Sequence, residues 1–318
     1  MNIIIITDLE GIIGFDSSLD TSKALELWVQ NLTVILKLLQ EYLPNNHITI
    51  CDVHNNGFYS KEIAKRISEL KMTTVRVIGG IDTLLNNLVI YDVGLLIGFH
   101  GKAGAKGRFS HSFRDDFVHI LAGEQKKPVG EIYLFIHLLK YYNIPVVFVS
   151  GEGGISDEIE QGIIYYQTED IHDIKEDLFT FSEIARHSMH SLVSFALKND
   201  IQEMDAKRND EVIRIEVDNL DKISYAENAG FIIENNQIVF LNIISFFSNV
   251  VRLAHVMNEA NCQIYKRNLQ FAYTINKYKD KLLLDMKIID ILKKPLNLLD
   301  NGDLYNIKTF LLKVTHDE

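Results

Sequence analysis

Cysteine is scarce in this chain: two, Cys51 and Cys262, among 318 residues. Two cysteines cannot build a disulfide framework, and they suit a reducing compartment. Basic charge is also short. Against 43 Asp and Glu there are 32 Lys and Arg, a formal net charge of -11. That balance gives a nucleic-acid partner no support from the whole chain, and no Lys/Arg run stands out. No apolar stretch approaches the ~18 residues a membrane helix needs. The N-terminal apolar run lacks a basic flank and is too short for a signal peptide, so the expected location is cytoplasmic, with no membrane partner. Internal repeats and low-complexity linkers are missing too. What remains is ordinary: 47% hydrophobic and 24% charged residues, in a chain long enough for one large domain or two smaller ones.

The most informative stretch is the first eleven residues. Ile3–Ile6 read as a short strand buried on both faces, because β-branched side chains fit a pleated surface and nothing alternates. The run stops at Asp8 and Glu10, followed by Gly11. Carboxylates just past the carboxyl end of a buried strand stand where open α/β sheets place ligands. Alternation puts both on one side, close enough to share a metal ion.

Further strands are expected over 47–51, 73–78, 93–99, 117–122 and 145–150. Helices are expected over 21–42, over 60–70 with Ser60 as N-cap, and from Pro128-Val129-Gly130-Glu131 to about Tyr142. This alternation predicts a Rossmann-like, mostly parallel sheet with helices on both faces, in a metal-binding catalytic domain over 1–200. A smaller α+β part is expected over 201–261: a strand at 211–218, a hairpin about Asn235-Asn236 and a helix at 245–257. A helix is also expected over 176–197, within the first domain. A Lys- and Leu-rich helical C-terminal extension, 262–318, interrupted by Pro295, would complete the chain.

Three of the expected strands end in metal-capable side chains: Asp8 with Glu10, Asp52 with His54, and His100. Carboxyl ends of parallel strands share one edge, so these residues would converge although far apart in sequence. Histidine nitrogen with carboxylate oxygen, and no cysteine, suits Zn²⁺ or Mn²⁺ in a catalytic site that keeps positions open for water. Glu131 offers a further ligand, or else a first-turn glutamate that favours the helix dipole. Two ions sharing a carboxylate would lower the pKa of a bridging water and polarise a carbonyl, the chemistry of amide hydrolysis. His111, in Ser110-His111-Ser112 after the glycine-rich loop 101–107, reads as a general base or oxyanion stabiliser, or as a plain surface-loop histidine. His119, His137, His172, His187, His190 and His255 have no comparable placement. The run Gly151-Glu152-Gly153-Gly154 lacks the lysine and the spacing of a phosphate loop.

The ordered set Asp8-x-Glu10-Gly11, Asp52-x-His54, Gly98-Phe99-His100, Ser110-His111-Ser112 and Pro128-Val129-Gly130-Glu131, with a strand ending in Gly151, resembles the zinc-dependent D-aminopeptidases of bacteria. The resemblance runs from residue 1 to about 155 and more weakly through 212–257. It implies that Asp8, Glu10, His54, His100 and Glu131 are ligands of two zinc ions, with His111 beside them as a catalytic residue. It also implies a homo-oligomer, a decameric ring whose chamber admits only short peptides. The chain departs from the family at Gly151-Glu152-Gly153, where Gly-Asp-Asp is usual, and over 165–170. The expected activity is hydrolysis of the amide bond of short peptides bearing an N-terminal D-residue. The alternatives are an amidase on a modified peptide or secondary metabolite, and a non-catalytic metal-binding homologue. A phosphoesterase would have only Lys102, Lys106 and Arg108 for its phosphate.

Overall fold

A computed structural model of the chain describes residues 1–70, 72, 74–168, 173–198 and 211–277. Residues 1–257 form one compact unit and 258–318 a second. The first unit opens with β1 (Asn2–Thr7), α1 (Thr21–Tyr42), β2 (His47–Asp52), α2 (Ser60–Ser68), β3 (Val75–Gly79), α3 (Ile81–Leu85) and β4 (Val93–Phe99). It continues with β5 (Phe117–Ala122), β6 (Lys127–Val129), α4 (Glu131–Tyr141), β7 (Val146–Glu152), β8 (Ile164–Thr168) and α5 (Ile174–Lys198). The last elements are β9 (Ile213–Val217), α6 (Leu220–Asn228), β10 (Ile232–Glu234), β11 (Gln237–Phe240) and α7 (Ile243–Lys277).

Six parallel strands form the main sheet in the order β3-β2-β1-β4-β7-β8. The order reverses between β1 and β4, the switch point where doubly wound sheets bind ligands. The isoleucine run explains why the sheet is covered on both sides. Ile3 and Ile5 enter a core with Trp28, Leu32 and Leu36 of α1 and Phe181 of α5. Ile4 and Ile6 enter the opposite core with Leu134 and Leu138 of α4. All four are fully buried, each worth about 1.5–3 kcal/mol of hydrophobic stabilisation. Asp20 starts α1 by accepting the Lys23 N–H at 2.9 Å, the usual N-cap bond.

A second, antiparallel sheet has the order β10-β11-β9-β5-β6. Its Phe117, Ile120, Ile215 and Ile238 pack into the same core as α4. Asn235 and Asn236 turn the β10–β11 hairpin with φ of 51° and 61°, the left-handed pair that two-residue hairpins require. Two sequence expectations are corrected here. Phe117–Ala122 leaves the parallel sheet for the second one, and Ser60 does not cap α2: Tyr59 holds the N-cap position without a side-chain bond. The tail beyond Lys277, with Pro295, lies outside the described residues, as do His172 and positions 169 and 170 of the divergent segment. No helix among the described residues is long and apolar enough to cross a membrane.

Candidate metal centre

The ends of β1, β2 and β4 and the start of α4 supply the site. β1 and β4 meet closely just beyond their ends: the Gly11 N–H donates to the Gly98 carbonyl at 2.8 Å. A Cβ on Gly11 would collide with the Phe99 carbonyl oxygen, so glycine is required for Asp8 and Glu10 to sit against His100. Asp8, His100 and Glu131 are buried, and Glu10 and His54 are half-buried.

His100 is the hub. Its Nδ1 lies 3.0 Å from the Gly101 carbonyl oxygen, which can only accept, so Nδ1 carries the hydrogen and Nε2 faces the site. Nε2 stands 3.2 Å from Glu10 Oε2, 3.4 Å from Glu131 Oε1 and 3.6 Å from Asp8 Oδ2. His54 Nδ1 lies 3.0 Å from Asp8 Oδ1, and its ring stacks on Tyr59 and meets the edge of Trp28. Trp28 Nε1–H in turn donates to Thr7 Oγ1 at 2.8 Å. Glu131 is steered by the Phe113 N–H, which donates to Oε1 at 2.7 Å.

His111 joins the cluster from the loop after β4. Its ring is 4.4 Å from that of His100, and its Nε2 is 3.4 Å from Glu10 Oε2. Among the described residues, two overlapping groups have donor atoms close enough to hold a metal ion: Asp8, Glu10 and His54, and Glu10, His100 and His111. Glu10 belongs to both. His111 is therefore within ligand reach as well as in a position to move protons.

The electrostatics follow from crowding carboxylates out of water. Burial, with the Asp8 charge, pushes Glu10 up to about 7. Burial disfavours a charged His54, but the Asp8 carboxylate and the charges of Glu10 and Asp52 prevail and raise it to about 9. The same contest, won by Glu131, Asp8 and Glu10, raises His100 to about 10. His111 is pushed below its ordinary value by burial and by facing His100. The protein alone thus answers its excess negative charge with protons on two imidazoles.

Asp52 stands apart from the cluster. Its Oδ2 accepts the Tyr59 N–H at 3.0 Å and so holds the ring that stacks on His54. Sequence reasoning missed Tyr59, the Phe113 N–H and Glu152. Glu152 is buried at the end of β7, where Oε1 receives Arg108 Nε at 3.2 Å and Oε2 the Phe109 N–H at 3.3 Å. Its signal was an acidic residue at a strand end, the pattern already read at Asp8 and Asp52.

Imidazole and carboxylate donors gathered at the switch point of a doubly wound sheet define an α/β protein with a candidate metal centre. The chain belongs to the D-aminopeptidase family, peptidase family M55, whose model matches residues 1–236. A curated D-aminopeptidase of Bacillus subtilis (strain 168) is 33% identical over 67 residues, 21% of this chain and 24% of that protein. The matched segment thus spans about a quarter of that relative's length. A solved structure described as the Zn-dependent D-aminopeptidase DppA from Bacillus subtilis, a self-compartmentalizing protease, shares the fold. Its TM-score is 0.65 at 17% identity, covering 80% of this chain and 97% of that one.

Proposed function

We propose that this protein is a zinc-dependent aminopeptidase that hydrolyses the amide bond after an N-terminal D-residue of short peptides. Asp8, Glu10, His54, His100 and Glu131 are the proposed ligands of two zinc ions; Glu10 groups with Asp8 and His54 on one side and with His100 on the other, and Glu131 Oε1 lies 3.4 Å from His100 Nε2. The observation that carries the reading is the surroundings of His100 Nε2, which meets three carboxylates within 3.6 Å while Nδ1 is committed to a carbonyl. An outer hydrogen bond that fixes one ring nitrogen and aims the other is the usual setting of a metal-ligating histidine. The residues also fit zinc by what they leave undone. Asp8 Oδ2 is buried with no hydrogen-bond partner among the described residues, and such an oxygen calls for a cation.

Zinc bound there supplies a Lewis acid that polarises the scissile carbonyl and lowers the pKa of a water. The chain's own residues do the rest. Gly11 lets Asp8 and Glu10 approach His100, Phe113 N–H orients Glu131, and Tyr59 and Trp28 orient His54. His111, kept neutral near pH 7 by its depressed pKa, takes a proton from the attacking side and returns one to the leaving amine.

The assembly belongs to the proposal as well: a homo-oligomer, a decameric ring by the family resemblance. The self-compartmentalizing character stated for DppA supports it. A cytoplasmic location agrees with Cys51 and Cys262, both free thiols. The test of the activity is a pair of enantiomers. The zinc-loaded protein should release alanine from D-alaninamide and D-alanyl-D-alanine, and act at least tenfold more slowly on the L-forms. Equal rates would remove the stereochemical part of the reading; no release from any of them would remove the whole.

A further inference from the structure

Between His54 and Tyr59 the chain takes a path that side chains rarely allow. Asn55, Asn56 and Gly57 all have left-handed backbones, with φ of 44°, 53° and 83°. L-residues visit that region singly, and asparagine is among those that tolerate it best. Three in succession need restraint from the rest of the fold, and such outliers gather at functional sites.

The restraints come from β2 and from the start of α3. The Asn56 N–H donates to the Val53 carbonyl at 3.1 Å, and the Gly80 N–H donates to the Asp52 carbonyl at 2.9 Å. Asp52 Oδ2 accepts the Tyr59 N–H at 3.0 Å, which closes the turn. Gly57 lies against Gly79 and Gly80, where a Cβ would collide with the Gly80 nitrogen. The one side chain that braces the turn is that of Asn56, whose Oδ1 accepts the Ile81 N–H at 3.0 Å. Ile81 opens α3, and the N-cap residue Gly80 makes no side-chain bond there. The first N–H groups of a helix lack partners within it, so Asn56 caps α3 from 25 residues away.

All of this bears on a single ligand. His54 enters the turn and Tyr59 leaves it, with the two rings stacked at 6.0 Å and 18° and His54 Nδ1 held 3.0 Å from Asp8 Oδ1. His54 is the one imidazole in the group with Asp8 and Glu10. His100 is set separately, by the end of β4 and the Gly101 carbonyl. Resting on the two-zinc reading above, we propose that Asn56 is a positioning residue for His54. Its side chain locks the left-handed turn to α3 and so fixes the imidazole beside Asp8. The consequence is selective: without the brace, the ion that needs His54 is held less tightly and the ion at His100 and Glu131 is spared. Asn56 is exposed, so its replacement removes no core packing.

The test challenges the zinc-loaded protein with a chromophoric chelator over a concentration series, so that each ion's affinity is read as its own step. The parent is compared with Asn56→Ala, Asn56→Gly and Asn56→Asp. Outer partners of metal ligands are worth about 10–100-fold in affinity. In Asn56→Ala one step should weaken by about tenfold or more while the other stays parental. Glycine suits the left-handed backbone but has no acceptor, and should show the same one-step loss. Aspartate keeps both the acceptor and the tolerance for that backbone, and should restore parental binding. Parental binding in Asn56→Ala or Asn56→Gly, an equal loss at both steps, or no rescue by aspartate would overturn the inference. The two readings separate by the parent. Two ions bound by the parent and kept unchanged by Asn56→Ala fail the brace alone, whereas a parent that binds fewer than two fails the two-zinc centre and the brace with it.

Discussion

Alanine in place of His100 should abolish hydrolysis and strip the centre of metal while the far-UV circular dichroism stays that of the parent. The side chain is 2% exposed and makes no contact that a strand needs; β4 ends one residue earlier at Phe99. What it does is stand between Asp8, Glu10 and Glu131. Outer partners of metal ligands typically cost about 10–100-fold when mutated, so a ligand at the hub should cost more than about 100-fold in kcat/KM. Zinc content measured on the same preparation should fall with it. An unchanged rate would sink the proposed centre.

His111→Ala separates catalysis from metal binding. The side chain is a quarter exposed, on a loop rather than at a strand end. As a proton carrier it is worth about 10²–10⁴ in rate. The expected result is therefore a parental zinc content, a KM within a few-fold and a kcat lower by about that factor. The geometry makes this a sharp test, because Glu10, His100 and His111 themselves form a possible metal group. Loss of zinc from this variant would make His111 a ligand and leave the proton-transfer role to another residue.

Much of this site was legible in the sequence because it is built on strand ends. An unbroken apolar run such as Ile3–Ile6 has one reading, a doubly covered parallel strand, and the residue that ends it must lie at the sheet edge. Repeating that argument at Asp52-Val53-His54 and at His100 brings distant residues together without any knowledge of loops. α1 likewise begins and ends at Thr21 and Tyr42 as its apolar spacing predicts. The misreadings have a common cause in long-range contacts. Ser60 looked like a helix cap, but the backbone N–H of Tyr59 is claimed by Asp52 across a turn. Phe117–Ala122 has the composition of any buried strand. Its partner β9 lies about a hundred residues on, and no local pattern says which sheet it joins. β8, Ile-Tyr-Tyr-Gln-Thr, has too few aliphatic residues to stand out as a strand. The residues that orient the ligands, Tyr59, Trp28 and Phe113, act through ring packing and a single N–H. Those roles depend on loop conformation and leave no spacing signature.

The most direct measurement is the zinc content of the purified protein by elemental mass spectrometry, after loading with zinc and removal of the excess. About two ions per chain is the predicted result, since the five proposed ligands gather at one sheet edge with Glu10 in reach of both Asp8 with His54 and His100. No retained zinc would contradict the account and leave the residues gathered at the sheet edge with some other purpose.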